Sequence, residues 1–233
     1  MKVELCAGTI EALQIAKKLQ VDRVELCQSL EQGGLTPSSG FIEYSIALGL
    51  ETHVLIRPRG GGFRYSDREL EIMVRDVLEC KAIGAHGVVI GTLDDRSSIN
   101  IRGVELLVQK AGDMDVTFHR AFDDLIEFKK PIDQLVDCGI RRILSSGLAN
   151  NVERGAANLK EMVHHADGQL EIMPGGGVNL NNIVQICNEV NPAAIHFSGT
   201  DKVVIDEYSM FSETALMPNE DKIYRMLKAL KDN

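Results

Sequence analysis

The chain has 233 residues, 44% of them hydrophobic and 25% charged, with a formal net charge of −9. This length is sufficient to bury a full hydrophobic core, and α/β barrels of this size occur as one domain. The acidic balance argues against nucleic acid as the main partner, because a phosphate backbone binds basic surfaces, and it provides no polybasic patch for a membrane surface.

The cysteines indicate the compartment. There are five, scattered along the chain without a Cys-x-x-Cys pair, which is typical of a reducing environment rather than of a disulfide framework. No apolar run approaches the ~18 residues of a spanning helix, and the first residues predict a strand rather than a signal peptide. We therefore expect a cytoplasmic protein with no membrane partner.

Strand and helix patterns alternate along the sequence. Short β-branched segments predict strands near 2–6, 22–27, 51–57, 86–91, 115–119, 141–145, 169–173 and 193–197. Apolar residues at helical spacing predict helices at 9–19, 37–49, 66–82, 100–111, 124–138, 151–165, 179–190 and 219–231. Several of these helices end in glycine followed by a β-branched run, which is typical of a loop between a helix and the next strand.

The alternation predicts the fold. Strands separated by helices pair in parallel, and eight such units predict a single-domain (β/α)8 TIM barrel over residues 1–233. An open, doubly wound sheet is the alternative, but no Gly-x-Gly-x-x-Gly turn follows the first strand.

The segment 198–218 lacks clear periodicity and predicts a long loop after the eighth strand. A loop of this length in a compact domain is usually functional or mobile, and this one would lie at the rim where barrel sites are found.

Two predicted neighbouring strands share the sequence Val-Glu-Leu-Cys and end at Cys6 and Cys27. Because side chains alternate along a strand, Glu4 shares a face with Cys6, and Glu25 shares a face with Cys27. A thiolate pair on neighbouring strands suits a soft ion, above all Cu(I), so the two cysteines are candidate metal ligands. The alternative is that each cysteine is a small buried hydrophobic residue, the more common role of a free cysteine.

Polar residues gather at the predicted carboxyl ends of the strands, where barrel active sites lie. His119 is a candidate general base or metal ligand, a pair of glutamates could act as acid and base, and Arg57 could anchor an anion. The alternative is an ion-pair network that fills the barrel mouth. The candidate catalytic residues are Glu4, Glu25, Arg57, His119 and Asp123.

Glycine-rich and serine-containing turns follow several strands and could bind an anion through backbone N–H groups. They could equally be tight turns that need glycine for a positive φ. The candidate anion-binding residues are Arg59, Ser146, Gly147, Gly175, Gly176, Gly177, Ser198 and Gly199.

Six motifs in order resemble the CutC copper homeostasis family: Val24–Cys27, Gly33–Ser38, Ile56–Gly61, Gly87–Gly91, Thr117–Asp123 and Ile172–Gly177. The resemblance covers about residues 1 to 199. It implies a TIM barrel, a cytoplasmic location and a role in copper handling. It also implies Cu(I) as a ligand, with Cys6 and Cys27 at the positions of the family's candidate thiols, and it implies no known reaction.

Two other functions stay open at this point. The polar residues at the barrel mouth are also typical of an enzyme that acts on a small anionic or phosphorylated molecule. A scaffold with a filled, rigid mouth is the third possibility. Because barrels of this kind often associate through their outer helices, we expect a homodimer or a higher homo-oligomer.

Overall fold

The computed structural model describes residues 1–95, 97–205 and 213–232. Its central element is a sheet of parallel strands whose bounds lie within or close to those predicted. They are Lys2–Ala7 (β1), Arg23–Leu26 (β2), Thr52–Leu55 (β3), Gly87–Ile90 (β4), Asp115–Phe118 (β5), Arg142–Ser145 (β6), Glu171–Pro174 (β7) and Ala194–Phe197 (β8).

A helix follows each strand. The helices are Ile10–Lys18 (α1), Ser39–Ala47 (α2), Asp67–Ile83 (α3), Ile101–Ala111 (α4), Lys129–Asp137 (α5), Val152–Ala166 (α6), Ile183–Val190 (α7) and Glu220–Lys231 (α8). Short 3₁₀ turns at Leu30–Gln32 and Arg120–Asp124 lie in the loops after β2 and β5. No helix among these described residues is long and apolar enough to cross a membrane.

The strand order shows a barrel. Consecutive strands from β1 to β7 pair in parallel, and β8 pairs with β1, with Lys2 opposite Ala194. The remaining gap lies between β7 and β8, where Met173 and Ala194 pack together in one buried cluster. The predicted single-domain (β/α)8 TIM barrel is therefore confirmed.

Local sequence explains where the helices begin and end. At α3, the Ser66 side chain accepts from the backbone N–H of Glu69, and the Glu69 carboxylate accepts from the backbone N–H of Ser66. This reciprocal capping box satisfies two donors that a helix start leaves unpaired. Gly84 ends the helix in the left-handed region at φ +91°, where a side chain would be strained.

The prediction of a loop over 198–218 is wrong for two parts of that segment. Thr200–Ile205 (β9) and Glu213–Pro218 (β10) pair as antiparallel strands, and residues 206–212 lie outside the described residues. Val203 and Val204 are both exposed although they point to opposite faces of the hairpin. Because neither face of β9 is buried, this strand has no alternation of apolar and polar residues for sequence reasoning to detect.

The barrel has an apolar outside and a polar inside. The main hydrophobic core lies between the strands and the helices. Inside the barrel, Glu4, Arg23, His53 and Arg142 are nearly or completely buried. Buried ionisable groups need partners, so the barrel interior is held by ion pairs rather than by hydrophobic contacts alone.

The contact between α6 and the turn after β6 gives a test of the packing. A methyl group on Gly155 would overlap the carbonyl oxygen of Ser146, whereas a methyl group on Gly40 in α2 would meet nothing within 4 Å. We expect Gly155→Ala to destabilise the fold by about 2 kcal/mol or more through overpacking. Gly40→Ala should stabilise it by up to about 1 kcal/mol through helix propensity. Urea unfolding of both variants measures the difference, and equal midpoints would contradict the close contact.

Candidate functional site

A cavity of about 320 Å³ opens at the carboxyl ends of the strands. This is the end at which (β/α)8 barrels place their sites. The lining includes apolar, thiol, carboxylate, imidazole and guanidinium groups. The lining residues are Cys6, Glu25, Leu30, Gly33, Leu55, Arg57, Phe63, His119, Arg120, Leu144, Gly176, Gly177, Val178, His196, Phe197 and Ser198.

The two predicted thiols lie side by side. The sulfur atoms of Cys6 and Cys27 are 3.8 Å apart, with Cys6 on β1 and Cys27 just after β2. Both pack in a small apolar cluster with Leu55 and Val89 inside the barrel. Cys6 lines the cavity, whereas Cys27 is fully buried behind it.

Cys6 also belongs to a second group of possible metal ligands, which the sequence did not predict as a set. The Cys6 sulfur, a Glu25 carboxylate oxygen and a His196 ring nitrogen all lie within 4.8 Å of one another, and these three buried residues could hold a metal ion. His196 reaches this point because β8 pairs with β1, which places His196 opposite Glu4.

Glu4 lies beneath this group and fixes the imidazole of His196. The Glu4 carboxylate accepts from the Nε–H of Arg23 through one oxygen, and its other oxygen lies 2.8 Å from Nδ1 of His196. Glu4 and Arg23 have no exposed surface. With Nδ1 held by Glu4, the other ring nitrogen of His196 faces Glu25, at 3.7 Å from its carboxylate.

This packing shifts the pKa values of Glu4 and His196. Burial opposes the charge of Glu4, but the hydrogen bond and charge of His196 and the charge of Arg23 lower the pKa of Glu4. Burial likewise opposes protonation of His196, yet the charges of Glu25 and Glu4 raise its pKa. The result is a charged Glu4–His196 pair.

For Cys6 and Glu25, the surroundings in the cavity wall favour the protonated forms. The hydrogen bond with Cys27, together with burial, raises the pKa of the Cys6 thiol well above its usual value. Burial raises the pKa of Glu25. A metal ion that binds Cys6 must therefore displace a proton.

Arg57 connects two loops at the cavity. Its Nη1 donates to the carbonyl oxygens of Gln32 and Gly34, and its Nη2 donates to that of Gly61. Its guanidinium also lies over the Phe63 ring, at 5.3 Å from the ring centroid. Arg57 thus orders the loops after β2 and β3, and its Nε has no partner among the described residues.

His119 lies at the end of β5 and packs at 4.8 Å from Phe63, measured between ring centroids. Burial and the charge of Arg57 lower the pKa of His119 to about 3. Its Nδ1 accepts from the backbone N–H of Ala121 at 3.1 Å, so the neutral ring carries its proton on Nε2.

Asp123 organises the loops after β5 and β6. Its carboxylate accepts from the Nε of Arg120, from the Ser145 hydroxyl and from the backbone N–H groups of Ser146 and Leu148. These donors account for its placement, and Asp123 does not line the cavity. Its predicted catalytic role stays a prediction.

The predicted anion-binding residues differ in whether they line the cavity. Arg59 donates to Glu69 and to loop carbonyl oxygens away from the cavity. The backbone of Ser146 and Gly147 packs against α6, while Gly175 lies under Leu144 and His196. Gly199, which packs against Ile223 of α8, lies outside the lining. Gly176, Gly177 and Ser198 do line the cavity.

Sequence reasoning left out two ionisable residues that line the cavity, His196 at the end of β8 and Arg120 in the motif after β5. The signal for both was the same as for His119, a polar residue at a strand's carboxyl end. Arg23, the buried partner of Glu4, lies at the opposite end of its strand and carried no such signal.

The fold and the cavity define a (β/α)8-barrel protein with a metal-capable thiol, carboxylate and imidazole group at its mouth. The chain belongs to the CutC family, whose sequence model matches residues 1–201. A CutC family protein of Glaesserella parasuis is 39% identical over 199 residues, covering 85% of this chain and 82% of that protein. One of Photorhabdus laumondii is 41% identical over 183 residues, covering 78% and 73%.

Solved structures agree with this assignment. The CutC protein of Streptococcus agalactiae, which its name assigns provisionally to copper homeostasis, is 36% identical with a TM-score of 0.80. The match covers 84% of this chain and 97% of that one. Phosphoribosyl anthranilate isomerase of Thermotoga maritima, at 12% identity, a TM-score of 0.61 and full coverage of both chains, shares the fold alone.

The buried Glu4–Arg23 pair gives a stability prediction. Arg23→Met leaves the Glu4 carboxylate buried with one partner fewer, and breaking such a pair typically destabilises a protein by about 3–5 kcal/mol. Arg102→Met, which removes an exposed arginine from α4, is the control and should change stability by less than about 0.5 kcal/mol. Chemical unfolding of the two variants checks this, and similar losses would contradict a structural role for Arg23.

The buried histidines predict a pH dependence. Burial lowers the pKa of His53 and His119 to about 3 from their ordinary 6.5. The unfolded chain therefore binds more protons between these values, so stability is present above about pH 6.5 and is lost as the pH falls toward 3. Each histidine contributes about 1.4 kcal/mol per pH unit within that window.

His119→Asn isolates one of these contributions. The side-chain oxygen of the asparagine can still accept a hydrogen bond from the backbone N–H of Ala121. We expect the slope of unfolding free energy against pH, measured between pH 5.5 and 4, to fall by about 1.4 kcal/mol per pH unit. An unchanged slope would contradict a neutral, buried His119.

Proposed function

We propose that this CutC family protein acts in copper homeostasis by binding Cu(I) at Cys6. The observation that carries the proposal is the position of the Cys6 sulfur, which lies at the cavity wall, 3.8 Å from the sulfur of Cys27 and beside His196 and Glu25.

The distances suit one ion. A metal–thiolate bond is roughly 2.3 Å long, so one ion can bridge two sulfur atoms up to about 4.6 Å apart. The separation of 3.8 Å between Cys6 and Cys27 falls within that reach. Thiolates select Cu(I), and the imidazole of His196, which groups with Cys6 and Glu25, offers a further ligand on the cavity side of Cys6.

The surroundings support this assignment of roles. Glu4 holds Nδ1 of His196, an arrangement that orients the ring as outer partners orient metal-bound imidazoles. The raised pKa of Cys6 means that copper must displace a thiol proton, and the charged ring of His196 must also release a proton before its free nitrogen can bind. Copper binding should therefore release protons and weaken at low pH.

The compartment is part of the proposal. All five cysteines are free thiols, which a reducing cytoplasm preserves and which Cu(I) requires. The homodimer expected from the sequence stays a prediction.

The test is an anaerobic Cu(I) titration against a competing chromophoric chelator. We expect one Cu(I) per chain in the wild type. Cys6→Ser and Cys27→Ser should each weaken the Cu(I) affinity by more than roughly 10–100-fold. That range is typical for loss of a residue that only hydrogen-bonds to a metal ligand. Cys80→Ser is the control, because Cys80 is a buried thiol in α3 outside the cavity lining.

Two outcomes would contradict the proposal. One is copper affinity that is unchanged in both Cys6→Ser and Cys27→Ser. The other is an equal loss in Cys80→Ser, which would mean that the thiols act through general stability. Circular dichroism of each variant confirms that it is folded.

A further inference from the structure

Two side chains at the cavity carry buried N–H groups without a partner. Nε of Arg57 and Nε2 of His119 make no hydrogen bond with the described residues. Both residues line the cavity, and they are only 6% and 5% exposed. A buried donor left unpaired destabilises a fold unless a ligand or an ordered water supplies an acceptor.

Both groups present a hydrogen rather than a lone pair. Three of the five N–H donors of Arg57 are engaged by loop carbonyl oxygens, and the buried Nε–H is one of the two that remain. The Nδ1 of His119 accepts from Ala121, which places the proton of the neutral ring on Nε2. A ligand that satisfies both must therefore offer acceptor oxygens.

Arg120 supplies a third donor group at the same cavity. Its Nε donates to Asp123 and its Nη2 donates to the Ser146 hydroxyl, which fixes the guanidinium plane. The guanidinium lies over Gly176, where a Cβ would come within 2.7 Å of Cζ. Its third nitrogen, Nη1, has no hydrogen-bond partner among the residues that the structure describes.

The charge of the cavity differs from that of the whole chain. The chain carries −9, yet the lining has the two arginines and a single carboxylate, Glu25. The charge of His196 is paired with Glu4, which lies behind it. A recess lined by one sign of charge concentrates ligands of the opposite sign, so this cavity attracts anions.

We propose that the cavity binds a small organic anion whose carboxylate or phosphate group accepts hydrogen bonds from Arg57, His119 and Arg120. The apolar lining, which includes Phe63 and Phe197, packs against the rest of the ligand. A volume of about 320 Å³ lies at the lower end of small-molecule sites, which fits a compact metabolite. The site goes beyond copper binding and needs no metal.

The donors and the proposed copper ligands come from different strands. Arg57 and His119 follow β3 and β5, whereas Cys6, Glu25 and His196 lie on β1, β2 and β8. The two functions can therefore be removed separately.

The test is isothermal titration of metal-free protein, kept in chelator at constant ionic strength, with three probes. Inorganic phosphate, glycerol 3-phosphate and succinate distinguish a free phosphate, a phosphate monoester and a carboxylate. Arg120→Met removes a charged donor, and His119→Asn removes Nε2–H while keeping an acceptor for Ala121. Arg68→Met is the control, because it removes the same charge from an exposed position outside the lining.

We expect saturable binding of at least one probe to the wild type. Arg120→Met should raise its Kd about tenfold or more, and His119→Asn about 2- to 10-fold, while Arg68→Met leaves it within twofold. No saturable binding of any probe would overturn the proposal, as would an equal loss in Arg68→Met or unchanged binding in the His119→Asn/Arg120→Met double variant.

Cys27→Ser separates this site from the copper site. Cys27 does not line the cavity, so this variant should lose Cu(I) affinity and bind the anion as the wild type does. Anion binding that persists while copper binding fails in the wild type would leave this proposal standing and the copper proposal rejected.

Discussion

The buried carboxylate of Glu4 holds the site together. It lies on β1, accepts from Arg23 of β2 and contacts His196 of β8, so one side chain connects three neighbouring strands. Removing a charge from water is expensive unless good partners replace the water. Glu4 has two such partners, and their directions fix the ring of His196 and thereby the shape of the cavity wall beside Cys6.

The fold and the thiol pair were predictable from local patterns. In a (β/α)8 barrel, strands adjacent in sequence are adjacent in space, so the repeated Val-Glu-Leu-Cys segments had to pair. Alternation of side chains then put Cys6 and Cys27 on the inner face, and the structure brings their sulfur atoms to 3.8 Å. These predictions needed only the period of a strand and the order of the chain.

What sequence reasoning missed depended on contacts between distant segments. His196 meets Glu4 through the register in which β8 pairs with β1, and no local pattern near His196 sets that register. Arg57 and Arg59 flank the same proline, yet only Arg57 lines the cavity, since Arg59 turns to Glu69 and the loop carbonyl oxygens. The local sequence could not tell which arginine lines the cavity, because the path of the loop after Pro58 decides the direction of each side chain.

The two proposed ligands share one small cavity, so their binding free energies must be coupled. Cu(I) that replaces two thiol protons lowers the local charge by one unit, and loss of the His196 proton on binding would lower it by a second, which opposes an anion nearby. By linkage, the anion would then weaken copper to the same degree. An anion whose oxygen reaches the copper would instead add a ligand and strengthen both. The sign of the coupling therefore reports whether an ion bound at Cys6 and an anion bound at Arg57 and His119 lie apart or in contact.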